Sequence, residues 1–367
     1  MFDRRLARYF DWGLLGLTML IGAFGLITLY SAVTTDASSA QRILYYKQMI
    51  WFAVGLSCMI VCFLINYKVF ERWAIPIYIG CNLLLAAVLW IGRYAGGSRR
   101  WLSLGPVSLQ PSELIKIALI LVLARYFSKV LNAGGLTLRE LVQPMLLTAV
   151  PFGLIVVQPD LGTAGLLALI AVSITIFAKI ERRSLAAIVA LGAAVVPMVW
   201  FVLKDYQKQR ILTLLDPDRD PLGSGYHIIQ SKIAIGSGML SGKGFLHGTQ
   251  NALSFLPEQH TDFIFSVLAE EWGFLGASAV IVCFLLLIVY GLTIAQRCRD
   301  PFGTILCVGI TALIFWQVFI NVGMVMGLLP IVGVPLPFVS YGGSSVVTTL
   351  IGIGLLLNVS MRRFVIP

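Results

Sequence analysis

The chain has 367 residues, of which 58% are hydrophobic and only 12% charged, against about 25% charged in an ordinary soluble domain. With a mean hydropathy of +0.90, this excludes a soluble globular protein and predicts an all-α polytopic membrane protein. The net charge of +10 does not point to nucleic acid, because the cations sit in small clusters between apolar runs, as membrane orientation signals do.

A spanning helix needs about 20 mostly apolar residues. Ten segments qualify, at roughly 12–31, 48–66, 73–92, 112–128, 140–157, 162–180, 184–203, 274–296, 303–327 and 342–361. The first run lacks a small-residue cleavage site and is expected to be retained. An even number of spans puts both termini on one side. The loops of that side hold fourteen Lys and Arg, from Arg4 to Arg363, against five on the other: Arg42, Lys47, Arg93, Arg99 and Arg100. The excess predicts cytoplasmic N- and C-termini. It places the long loop 204–262, between spans 7 and 8, outside the cytoplasm. Within it, residues 226–236 have partial helical spacing and are expected to form a short amphipathic helix at the membrane surface. The glycines around Lys243 lack phosphate-loop spacing, since Ser237 stands where the first glycine belongs. The six cysteines lie in or beside apolar segments without a CxxC pair and are read as small core residues, with neither disulfide nor metal.

Ionisable residues at membrane depth are costly and therefore candidates for function. In "QPSELIKIALI", Glu113 and Lys116 share one helix face at i,i+3 spacing; they form either a self-neutralised pair or a cationic site whose lysine the glutamate holds. In "VVQPDLGTAG", Asp160 occupies a short outer turn, where it caps a helix, serves a site, or does both. Arg99, Arg100 and Arg210 lie on the outer side against the charge trend. Snorkelling accounts for them, and so does a phosphate-bearing ligand, whose oxygens match the guanidinium fork.

The segment "LPEQHTDFIFSVLAEEWG", Leu256 to Gly273, holds four of the seventeen acids directly before a very apolar run. Asp262 is expected in the first turn of a helix, capped by Thr261, that bends near Gly273. It is either a dipole-favoured first-turn residue or an outward-facing catalytic carboxylate. Glu270 and Glu271 are expected near the outer membrane boundary. His260 with Asp262 is weak evidence for a metal. In "NVGMVMGLLPIVGVPLPFVSYGGSS", Asn321 to Ser345, three prolines forbid a continuous helix; irregular backbone at this depth lines a cavity or is buried in protein.

This last segment, with "HTDFIFSVLAEE", "QPSELIKIA" and "QPDLGT", closely resembles the SEDS family of shape, elongation, division and sporulation proteins, over nearly the whole chain as one membrane domain. "GYHIIQSKIAIGSG" and "GKGFLHGTQ" are similar to its rod-elongation branch. The resemblance implies a peptidoglycan glycosyltransferase of the bacterial inner (plasma) membrane. Its substrates would be Lipid II and the growing glycan strand. Its partners would be a class B penicillin-binding transpeptidase and other elongation-complex membrane proteins. It puts the catalytic aspartate on Asp262, the functional lysine on Lys116, an arginine on Arg100, and further acids on Glu113 and Asp160. Ser340 and Ser344 of the signature "SYGGS" join Arg210 as expected substrate contacts. One carboxylate base plus cations on a pyrophosphate leaving group is a sufficient set for inverting transfer. No cofactor is required, with a divalent cation left open. A lipid-precursor flippase and a non-catalytic scaffold for the transpeptidase are the competing expectations.

Overall fold

A computed structural model of the chain describes residues 10–34, 39–95, 98–104, 107–130, 135–181, 184–186, 201, 205–220, 223–253 and 259–362. Three helices open it: α1 (Trp12–Thr34), α2 (Ser39–Leu64) and α3 (Tyr67–Ile91). Strands β1 (Arg93–Ala95), β2 (Ser98–Leu104) and β3 (Val107–Leu109) follow, then α4 (Pro111–Val130), α5 (Leu138–Val157) and α6 (Leu161–Phe177). After α7 (Asp205–Leu215) and α8 (Ser224–Ser237) comes the single turn α9 (Thr249–Ala252). The long helices α10 (Ile264–Arg297), α11 (Pro301–Val325) and α12 (Gly343–Arg362) complete the chain.

Seven helices among the described residues are long and apolar enough to cross a membrane: α1, α2, α3, α5, α10, α11 and α12. α6 is apolar but short, at 17 residues. α4 has the length, but Glu113, Lys116, Arg125 and Lys129 interrupt its apolar run. Most of the segment expected at 184–203 lies outside the described residues.

The expectation of an all-α chain is corrected by the antiparallel sheet β1-β2-β3 between α3 and α4. Its registers pair Ala95 with Ser98 and Leu104 with Val107. A Gly-Gly pair between short polar-apolar runs favours a tight hairpin, a signal too local to show among the long apolar runs.

The core of the bundle is α4, α11 and α12, with α12 89% buried over its most apolar window. Small residues let its neighbours approach closely: a side chain at Gly354 would overlap the backbone of Met59 on α2. One turn on, the Asn358 carboxamide binds the turn between α2 and α3. It donates to the carbonyls of Cys62 at 2.6 Å and Ile65, and accepts from the Tyr67 amide at 3.2 Å. α8 packs on α10 and α11 and bonds them through Ser231, whose hydroxyl donates to the Val325 carbonyl at 2.6 Å and meets Ser266 at 2.8 Å. The amphipathic segment of the long loop therefore docks on the bundle.

α10 is continuous from Ile264 to Arg297 except at Gly273, where φ 64° and ψ −164° break it. L side chains avoid that region, and a Cβ there would overlap Gly242. The amides freed by the break bond the loop before α9: Phe274 to Met239 at 2.8 Å and Leu275 to Leu240 at 3.1 Å. In return Lys243 and Gly244 donate to Glu270 and Glu271 at 3.0 and 2.9 Å. Both of those acids are buried. The Glu270 carboxylate accepts from Lys243 Nζ at 2.6 Å, Thr249 Oγ1 at 3.1 Å and the Gln250 amide at 3.1 Å, and Glu271 accepts from Ser31. Two of the four clustered acids thus fasten a loop across a helix break.

Candidate active site

Asp262 does not start a helix. Phe263 is the N-cap of α10 and makes no side-chain cap bond, so Asp262 stands one residue before it, in a turn. Three successive carbonyls of that turn each accept a bond. His260 accepts from the Tyr341 amide at 2.9 Å, Thr261 from Ser340 Oγ at 2.6 Å, and Asp262 from Asn321 Nδ2 at 3.0 Å. The donors come from the proline-rich segment and the end of α11. The prolines explain the arrangement: they keep 330–341 out of a helix, leaving its polar groups for the neighbouring chain.

The proline segment is itself braced. Ser340 Oγ accepts from the Leu336 amide at 2.8 Å. Gln48 of α2 donates to the Ser340 carbonyl and accepts from the Gly342 amide, both at 3.2 Å. Asn321 is fully buried and donates also to the Val334 carbonyl at 2.8 Å. The Asp262 backbone is therefore held to the proline segment, whose 330–333 stretch lines the cavity, while its side chain stays half-buried against Gly333, which has φ +70°.

That cavity encloses about 300 Å³ and is lined by Arg100, Asp160, Arg210, Asp262, Gln207 and the 330–333 backbone, among others. Arg100 projects from β2, donates to the Pro159 carbonyl at 2.6 Å and pairs with Asp160 at 3.7 Å. Asp160 also caps α6 through the Thr163 amide at 3.3 Å and hydroxyl at 3.0 Å, so its capping and site placements coexist. Arg210 reaches from α7 to the Ile331 carbonyl at 3.1 Å and is exposed. Four residues from four distant parts of the sequence thus meet: two guanidinium groups, one half-buried carboxylate on a fixed backbone, and a second carboxylate beside one of the guanidiniums.

The other expected residues lie outside the lining. Glu113 and Lys116 are buried and closed on each other, the ammonium donating to both carboxylate oxygens at 2.8 Å. Ser340 is the backbone brace already described. Ser344 Oγ accepts from the Gln110 amide at 3.0 Å, joining the start of α12 to the turn before α4. Thr261 bonds Ser340 through its carbonyl. Asn321, Gln48, Gln207 and Gly333 are contributors that motif reading does not single out. A carboxamide inside an apolar span is the signal that Asn321 does carry, because such a group needs a partner there.

This architecture, a helical membrane bundle with a charged cavity at one end, defines a polytopic membrane protein. The profile of the FtsW/RodA/SpoVE family of cell cycle proteins matches residues 11–364, and the chain belongs to that family. It is 45% identical over 348 residues to the peptidoglycan glycosyltransferase MrdB of Escherichia coli K12, covering 94% of this chain and 93% of the relative. It is 38% identical over 366 residues to a probable peptidoglycan glycosyltransferase FtsW of Geobacter metallireducens, covering 98% and 96%. Among solved structures, one describing coordination of polymerization and crosslinking by a peptidoglycan synthase complex matches with TM-score 0.83 and 35% identity, over 97% and 99% of the two chains. The Thermus thermophilus rod shape determining protein RodA matches with TM-score 0.70 and 30% identity, over 97% and 98%.

Proposed function

We propose that this chain is the peptidoglycan glycosyltransferase of cell elongation, polymerising Lipid II at the Asp262 cavity. The observation that carries the reading is the convergence of Arg100 and Arg210 on the cavity that holds Asp262. The acceptor is a sugar 4-hydroxyl, a poor nucleophile until its proton is removed. Asp262 takes that proton as the oxygen attacks C1 of the donor sugar. The C1–O bond to phosphate breaks, and its electron pair leaves on the lipid pyrophosphate, whose charge Arg100 and Arg210 hold. One displacement inverts an α-linked donor into a β-1,4 linkage. The pinned turn supports this reading, since a base must keep its geometry through the reaction. Asp160 sets Arg100, and Lys116, held by Glu113 in a buried pair, acts on the site without lining its cavity. Ser340 and Ser344 act by bracing the backbone around the site.

The same reading places one membrane domain of ten spans in the bacterial inner membrane, with cytoplasmic termini and the Asp262 cavity on the outer face. A class B penicillin-binding transpeptidase crosslinks the strands the chain makes. The test is Lipid II polymerisation by purified protein, with and without its transpeptidase. Asp262→Asn keeps shape and removes the base, so glycan synthesis should fall by about 10²–10⁴-fold while membrane insertion and transpeptidase binding persist. Wild-type synthesis by that variant would take the base role away from Asp262, whereas no synthesis by the wild-type chain, with or without its transpeptidase, would return the role to a flippase or a scaffold.

A further inference from the structure

A second charged cavity lies at the opposite end of the bundle. α3 and α4 are joined at one end by the sheet that carries Arg100, and their far ends enclose a cavity of about 290 Å³. Lys68 and Arg72 enter it from the first turns of α3, and Arg125 and Lys129 from the last turns of α4, with Glu71 as the one carboxylate in its lining. Lys68 is already matched, donating to Glu71 at 3.1 Å and to Asp300 at 2.7 Å. Arg125 donates to the Arg72 carbonyl at 3.0 Å, which ties the two helix ends together without neutralising either guanidinium. Arg72 and Lys129 are exposed and make no ion pair among the described residues.

Cations at the ends of spanning helices are ordinary orientation signals, and the two on α4 also suit the negative end of its helix dipole. The dipole part of that explanation does not extend to α3. Lys68 and Arg72 stand at its N-terminal end, where the dipole disfavours positive charge. Orientation alone also gives no reason for four cations to converge on one cavity, since like charges at close range repel.

We infer that this cavity binds the phosphate of an anionic phospholipid from the leaflet on that side of the membrane. Arg72 and Arg125 provide forked donors for phosphate oxygens, and Lys129 adds a point charge. The source is a lipid, because the apolar side chains that flank Arg72 on α3, Val69 at 46% and Trp73 at 56% exposure, face outward beside the cavity where acyl chains would run. Basic pockets between spanning helices are suited to such headgroups.

The experiment uses the full chain in a neutral detergent, incubated with phosphatidylglycerol or phosphatidylcholine, with bound lipid counted by native mass spectrometry. Phosphatidylglycerol should be retained over phosphatidylcholine. The double variant Arg72→Gln/Lys129→Gln should lower phosphatidylglycerol retention by roughly tenfold, and Arg72→Lys/Lys129→Arg, which keeps both charges, should retain most of it. Both positions are exposed, so these variants should fold. Equal retention by wild type and the Gln variant overturns the inference. Loss of the lipid to an equimolar concentration of inorganic phosphate assigns the cavity to a free anion and overturns the lipid assignment.

Discussion

The carboxamide of Asn321 donates to the Asp262 carbonyl at 3.0 Å and to the Val334 carbonyl at 2.8 Å, so one buried side chain sets the spacing between the turn of the proposed base and the proline segment, whose 330–333 stretch lines the cavity. Asn321→Leu removes both bonds while conserving bulk. Misplacement of a reacting group by about 1 Å costs on the order of 10²-fold, so polymerisation should fall by ten- to a hundredfold, chiefly in kcat. Asn321→Asp keeps the shape without the donor and should not rescue. Steady-state kinetics on Lipid II check this; a change confined to KM would contradict a positioning role.

Arg100 and Arg210 line the same cavity but differ in their attachments. Arg100 ties β2 to the Pro159–Asp160 turn, and the exposed Arg210 reaches the Ile331 carbonyl from α7. Hydrogen bonds to charged groups are worth about 1.5–3 kcal/mol, so Ala at either position should raise KM for Lipid II by roughly ten- to a hundredfold. Arg100→Ala should also lower the melting temperature, since it unties β2 from that turn. Lysine at either position should restore little, because it lacks the fork. Unchanged KM in both variants would remove the arginines from the pyrophosphate.

The Glu113–Lys116 pair separates structure from chemistry. Removing one partner of a buried pair costs about 3–5 kcal/mol by leaving the other charge uncompensated. Lys116→Met should therefore destabilise the bundle, and Glu113→Gln/Lys116→Met should recover much of that stability. Polymerisation should stay impaired in the double variant. Thermal unfolding in detergent and glycan synthesis, measured on the same samples, decide it. If activity returned together with stability, the pair would be a structural clamp only.

Gly273 is where the loop before α9 enters α10. Gly273→Ala forces a side chain into a backbone conformation of about 1–3 kcal/mol strain and into contact with Gly242. The variant should melt earlier and expose the loop around Lys243 to limited proteolysis. Lys243→Met should reproduce the proteolysis, since it removes the bonds to Glu270 and Thr249 and leaves the buried Glu270 carboxylate without its cation. Protease resistance equal to wild type in both variants would show that the acids do not fasten the loop.

The predicted orientation is tested by labelling. In a background without the native cysteines, Leu215→Cys at the exposed end of α7 should react with an impermeant thiol reagent in intact cells. Lys129→Cys at the exposed end of α4 should react only after permeabilisation. The reverse pattern would invert the topology.

Composition alone determined that the chain is a helical membrane protein, because a bilayer admits few ways to satisfy a backbone and long apolar runs declare themselves. Local chemistry marked Asp262, Asp160, Arg100, Arg210 and the Glu113–Lys116 pair, since charge beside oil is conspicuous in one dimension. The i,i+3 spacing of Glu113 and Lys116 already implied that they pair, and they do. Other features needed three dimensions. The small sheet escaped notice because its strands are short and its turns carry only a local signal. Asp262 lies before its helix rather than in it, because the bonds from Ser340 and Asn321, about sixty to eighty residues away, hold the turn open. Ser340 and Ser344 brace backbone instead of lining the cavity, and Glu270 and Glu271 bind a loop, because burial makes each polar atom seek the nearest partner, and which partner is nearest depends on packing that the order of residues does not display.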